Sequence, residues 1–157
     1  MIVQFKLSRY FLRPVITVNC GGEEYPALID TGAVVPVFTF GQEKIAEIGG
    51  RSLYRTTSFG GFGGLCRGEL YRVDIDLGVL KYVDLPIICA HNANMPFAFI
   101  FPATMFTGFS YTIDDAARTL TVDTRTNETD LRLRIYDGTG EFRVLVGSAK
   151  SGDQSET

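Results

Sequence analysis

Along most of this chain apolar and polar residues alternate with a period of two, the spacing of strands with one buried face. Val3, Phe5 and Leu7 enclose Gln4 and Lys6, and Val73, Ile75 and Leu77 enclose Asp74 and Asp76. Near the C-terminus Leu131, Leu133 and Ile135 enclose Arg132 and Arg134, and Phe142, Val144 and Val146 form a returning strand across the turn Asp137-Gly138-Thr139-Gly140. Other segments are apolar without alternation, as expected of buried strands: 15–18, 25–29 and Phe97-Ala98-Phe99-Ile100-Phe101. Further strands are expected at 53–57, 65–73 and 80–90, and a hairpin at 111–114 and 119–122. Residues 34–38 read as extended, and Pro36 within them predicts an edge or a bulge. A helix is expected at 41–48, where Ile45 and Ile48 lie three apart before Gly49-Gly50. A second, shorter helix follows Pro102 through Phe106, with Gly108 placed to end it.

One apolar run breaks on a carboxylate. Leu28 and Ile29 lead directly into Asp30-Thr31-Gly32-Ala33. An ionised carboxylate at the end of a buried strand needs partners, Thr31 can donate a hydrogen bond, and Gly32 lets a backbone or ligand approach. The same residues also suit an ordinary strand-to-turn exit. Downstream, Ser58-Phe59-Gly60-Gly61-Phe62-Gly63-Gly64-Leu65 places two glycine pairs around one aromatic, a composition that suits a mobile hairpin tip. It lacks the Lys-Ser/Thr ending of a phosphate-binding loop and the spacing of a dinucleotide fingerprint.

Composition narrows the classes of function. At 157 residues the chain is one domain by length, with room for a real core. A net charge of −3 without a basic stripe speaks against nucleic acid as a partner. The three cysteines, Cys20, Cys66 and Cys89, have no metal-ligand spacing, and the single His91 cannot complete a zinc set, so no metal and no cofactor are expected. Asp74, Asp76 and Asp84 read as a solvated face. Reduced thiols, no signal-peptide pattern at the N-terminus and no membrane-length apolar run make a cytoplasmic protein without a membrane partner the expectation.

From about residue 15 to residue 122 the order of features resembles the retropepsin-like aspartic peptidases, single-domain relatives of retroviral proteases. The likeness rests on Leu28-Ile29-Asp30-Thr31-Gly32-Ala33 and on Gly60-Gly61-Phe62-Gly63-Gly64, which looks like a retroviral flap tip. It implies an all-β fold class: a single-domain retropepsin-like acid-protease barrel with one or two short helices, plus a C-terminal β-hairpin extension. Residues 1–123 would be the peptidase domain and 124–157 the hairpin extension and a disordered tail. A lone hairpin is barely stable in water, so its apolar face is expected to pack on the barrel or on a partner subunit.

The resemblance implies Asp30 as the catalytic residue, Thr31, Gly32 and Ala33 as the active-site loop, and Phe59, Gly60, Gly61, Phe62, Gly63 and Gly64 as a substrate-binding flap over a peptide or protein substrate. Peptide hydrolysis needs a base to activate water and an acid to protonate the carbonyl oxygen or the leaving amine. Two carboxylates about 3 Å apart supply both, because the pair retains one proton. The chain has one Asp-Thr-Gly, so the second carboxylate would come from a second Asp30 in a homodimer. The family usually has a glycine where Phe99-Ile100-Phe101-Pro102 stands here, and Phe101 in its place is expected to need space beside the catalytic loop. Two other readings stay open: a catalytically idle dimer of the same fold that binds peptides or serves in assembly, and a β-barrel holding a small ligand in its apolar interior.

Overall fold

The computed structural model describes residues 1–61, 64–91, 93–135 and 140–147. Their strands are β1 (Ile2–Lys6), β2 (Val15–Cys20), β3 (Glu23–Ile29), β4 (Val37–Phe38), β5 (Arg51–Gly61), β6 (Gly64–Asp76), β7 (Leu80–Ala90), β8 (Phe99–Phe101), β9 (Ser110–Asp114), β10 (Thr119–Asp123), β11 (Asp130–Arg134) and β12 (Glu141–Val146). A helix, α1 (Gln42–Glu47), and a 3-10 turn at Ala103–Phe106 complete the set.

Six strands close on themselves in the order β7-β4-β8-β3-β2-β6, with β6 pairing back onto β7. Closure begins at the β2–β3 hairpin. Gly21 and Gly22 have φ of 58° and 86°, and a two-residue turn with both angles positive matches the twist of the arms it joins. At the seam between β6 and β7, Gly68 pairs with Ala90, and a Cβ there would come within 2.6 Å of the Cys89 carbonyl oxygen. Only a glycine lets the two strands cross this closely. A small sheet, β1-β10-β9, packs beside the barrel, and β5 extends it beyond β6.

One expectation is corrected. Residues 34–38 are not an edge: β4 is two residues long and is paired on both sides, parallel to β7 and antiparallel to β8. Pro36 is tolerated because it lies just before the strand, where its carbonyl accepts the Ile88 N–H at 3.0 Å and no donor is needed from it. The short helix expected after Pro102 forms, as a single 3-10 turn.

The C-terminal hairpin packs on its own barrel. β12 pairs antiparallel with β7, placing Val144 opposite Tyr82, and Leu131, Phe142, Val144 and Val146 are buried in the main core. Phe142 stacks on Tyr82, whose hydroxyl donates to the Met105 carbonyl at 2.7 Å. The expected turn residues 137–139 and the tail 148–157 lie outside the described residues.

Alternation in three central strands divides the interior into two clusters. Ala27, Ile29, Phe38, Phe99 and Phe101 belong to the main core. Their neighbours Leu28, Val37 and Ile100 face the other way and form a second cluster with Val15, Ala90 and Phe97.

Candidate active site

Asp30 sits where β3 leaves the barrel. Its N–H donates to the Phe101 carbonyl at 2.9 Å, and the preceding N–H, that of Ile29, donates to the Pro14 carbonyl at 2.8 Å. The backbone is therefore held from both sides at the residue that carries the carboxylate. Asp30 then closes its own turn: its carbonyl accepts the Ala33 N–H, and its Oδ1 accepts the Gly32 N–H, each at 3.0 Å. Among the described residues Oδ2 has no hydrogen-bond partner, and the side chain is half-buried. Thr31 and Gly32 are exposed, and Ala33 packs against the second cluster. Thr104, in the 3-10 turn, donates to the Val34 carbonyl at 3.4 Å and braces the loop from below.

The crowding expected from Phe101 does not occur. Its ring is fully buried in the main core, 5.5 Å from the Phe99 ring, on the face of β8 away from the second cluster. Only its carbonyl meets Asp30. The side chain that shares the second cluster with Leu28 is that of Ile100.

Around the second cluster stand half-buried apolar residues from separate parts of the chain: Phe11, Ala33, Val35, Phe59, Ala93 and Met95. Phe59 comes from the glycine-rich hairpin, where β5 and β6 pair out to Gly61 and Gly64. The hairpin and the Asp30 loop thus border one apolar surface. Phe62 and Gly63 lie outside the described residues. At the base of the hairpin the register slips between Ser52 and Thr56, and Tyr54 takes a left-handed φ of 55°.

The segment between β1 and β2 forms another border. Arg118 donates to the Ser8 and Phe11 carbonyls, at 2.9 Å each, and to Asp115 at 2.7 Å. The Phe11 ring lies 6.2 Å from that of Phe97, and the Arg13 guanidinium stands 6.0 Å from the centre of the same ring.

Other reactive groups are held quiet. Burial, with Asp74 and Asp76 nearby, pushes the Cys20 thiol up to about 12, and burial with Glu69 pushes Cys89 up to about 11. Both stay protonated at neutral pH, which makes them poor nucleophiles. Arg51 pairs with Asp74 and Asp84, so this acidic face is neutralised in part. Among the described residues no three His, Cys, Asp or Glu are grouped to hold a metal ion, and no helix is long and apolar enough to cross a membrane.

The chain superposes on a retropepsin-like aspartic protease from Rickettsia conorii with a TM-score of 0.52, over 78% of this chain and 90% of that one. The fold is retropepsin-like. Sequence identity across the superposition is 12%, and no family model and no curated relative matches the sequence. The likeness is therefore one of fold. Within the retropepsin-like barrel, the two motifs singled out in the sequence border the same surface. Sequence reasoning missed Phe11, Arg13, Ala93, Met95 and Thr104.

Proposed function

We propose that this protein is a homodimeric aspartic endopeptidase in which two Asp30 carboxylates, one from each subunit, activate a water molecule against a peptide bond. The observation that carries the reading is the setting of Asp30. Its backbone is fixed by two neighbouring strands, one carboxylate oxygen is used by its own loop, and the side chain remains half-exposed beside an apolar surface. Such pre-organisation suits a group that must meet another at close range. The retropepsin-like fold supports the same reading, since the solved structure it matches is described as an aspartic protease.

Gly32 adds an independent argument. A Cβ there would meet Asp30 Oδ1 at 3.5 Å, an ordinary contact, so the protomer by itself has no need of a glycine. A partner subunit or a substrate passing over the loop does.

Each subunit contributes one carboxylate, and about 3 Å apart the two share a proton. The ionised member takes a proton from water as its oxygen attacks the carbonyl carbon. The protonated member gives its proton to the carbonyl oxygen, and collapse of the tetrahedral intermediate passes a proton to the departing amine. The hairpin 58–65 would lie over an extended peptide, excluding water and adding strand-like hydrogen bonds. The alternative of an idle peptide-binding dimer drew its motive from Phe101, and that ring is buried away from the site. The ligand-holding barrel is less well supported still, because Tyr82, Phe38, Phe99 and Phe101 fill the interior.

Asp30→Asn tests the proposal. Asparagine keeps an acceptor for the Gly32 N–H and the fold with it, but removes both acid and base. Cleavage of apolar-centred peptides should fall by more than about a thousandfold. Equal cleavage by mutant and parent overturns the mechanism.

A further inference from the structure

The β2–β3 ladder runs one hydrogen bond past its last formal pair. Val15 pairs with Leu28, and Ile29 N–H then reaches the Pro14 carbonyl at 2.8 Å, so Arg13 and Asp30 are the next residues of their chains at the open end. Val15 and Leu28 face the second cluster, while Arg13 lies in the bend just before β2 and Asp30 just after β3. The Arg13 guanidinium lies 6.0 Å over the ring of Phe97, a member of the same cluster as Val15 and Leu28. Arg13 is exposed and, among the described residues, makes no ion pair. The half-buried apolar residues bordering that cluster are Phe11, Ala33, Val35, Phe59, Ala93 and Met95. A peptide laid along this surface with its reacting bond at Asp30 meets apolar walls near the bond and the Arg13 guanidinium beside them.

We infer that Arg13 is a specificity-determining residue that recognises a carboxylate side chain on the substrate, a short distance along the peptide from the bond that is cleaved. The cation–π contact with Phe97, at 6.0 Å, biases the guanidinium toward this surface, which lowers the entropy lost when a carboxylate arrives. In a twofold dimer Arg13 occurs once on each side of the paired aspartates, so acidic residues are favoured on both flanks of an apolar centre. The inference rests on the peptidase reading for the position of the bond, and its test separates the two.

The test uses matched peptides with one apolar centre and Glu, Gln or Lys at the second or third residue on either side. Cleavage by the parent is compared with that by Arg13→Ala, Arg13→Lys and Arg13→Glu, and binding of the same peptides to the Asp30→Asn variant, with and without those changes, is followed by fluorescence anisotropy. The parent should favour Glu over Lys by about three- to fivefold, the range of an exposed ion pair. The preference should vanish in Arg13→Ala, persist in Arg13→Lys, reverse in Arg13→Glu and weaken with added salt. Cleavage without charge preference, or a preference that survives Arg13→Ala, overturns the inference and leaves the peptidase reading intact. Weaker dimerisation of Arg13→Glu with unchanged peptide preference overturns it as well, placing Arg13 between subunits. Arg13-dependent binding without any cleavage supports the role of Arg13 and sinks the peptidase reading instead.

Discussion

The two faces of β3, β4 and β8 are built from adjacent residues and do opposite work. On one face Ile29, Phe38, Phe99 and Phe101 close the main core, with Phe38 and Phe99 rings 5.1 Å apart. On the other, Leu28, Val37 and Ile100 are just as well buried, but by a thin layer of half-exposed residues drawn from the Asp30 loop, the glycine-rich hairpin and the segment before β2. A core face needs only volume and close packing. A face covered only by half-exposed side chains leaves room for a ligand beside it, and the strand end at Asp30 is held by its hydrogen bonds while its side chain stays half-exposed.

This contrast can be broken by a pair of substitutions. Phe101→Ala removes a fully buried ring from the core face, and unfolding free energy should fall by about 3–5 kcal/mol. Phe59→Ala, on the roof of the other face, should change stability by no more than about 1 kcal/mol. On the proposed peptidase function it should nonetheless reduce peptide cleavage about tenfold, through loss of a contact with substrate. Thermal or urea unfolding beside a peptide assay reads both. A stability loss at Phe59 equal to that at Phe101 would mean that the second face is ordinary core.

A smaller effect is expected at an ion pair that belongs to neither face. Arg143 donates to both oxygens of Asp130, at 3.1 and 2.8 Å, and this holds the Asp130 carboxyl below the usual carboxylate range. A carboxyl lowered in the folded state contributes stability above the usual range and loses it as pH falls through the lowered value. Asp130→Asn should therefore lower the melting temperature slightly at neutral pH, with the gap to the parent closing on acidification. The pair is exposed and joins two strands already linked by a ladder, so a large gap would show that the hairpin depends on it more than its packing suggests.

Much of the architecture was legible in the sequence because half-buried strands advertise themselves by alternation. The arms around residues 73–77 and 131–135 are of this kind. Residues 97–101 were not legible in the same way. All five side chains are apolar, so no pattern tells which of them faces the site, and Phe101 meets Asp30 through its carbonyl alone. Pro36 misled for a different reason, since a proline just ahead of a two-residue strand leaves the same trace as one inside an edge strand. Within the candidate site, Asp30 and the glycine-rich hairpin stood out through local chemistry. Phe11, Arg13 and Met95 did not, because what unites them is adjacency across the barrel, and local sequence carries no record of that.

The central claim is that two copies of Asp30 act as one pair. Mixing folded parent with the Asp30→Asn variant, after allowing subunits to exchange, tests it directly. If each active site needs an aspartate from both subunits, an equal mixture should retain about a quarter of the activity of the same total amount of parent, the share of dimers with two intact copies. Retention of about half, with activity falling in direct proportion to the parent fraction, would mean that each chain works alone and would contradict the account.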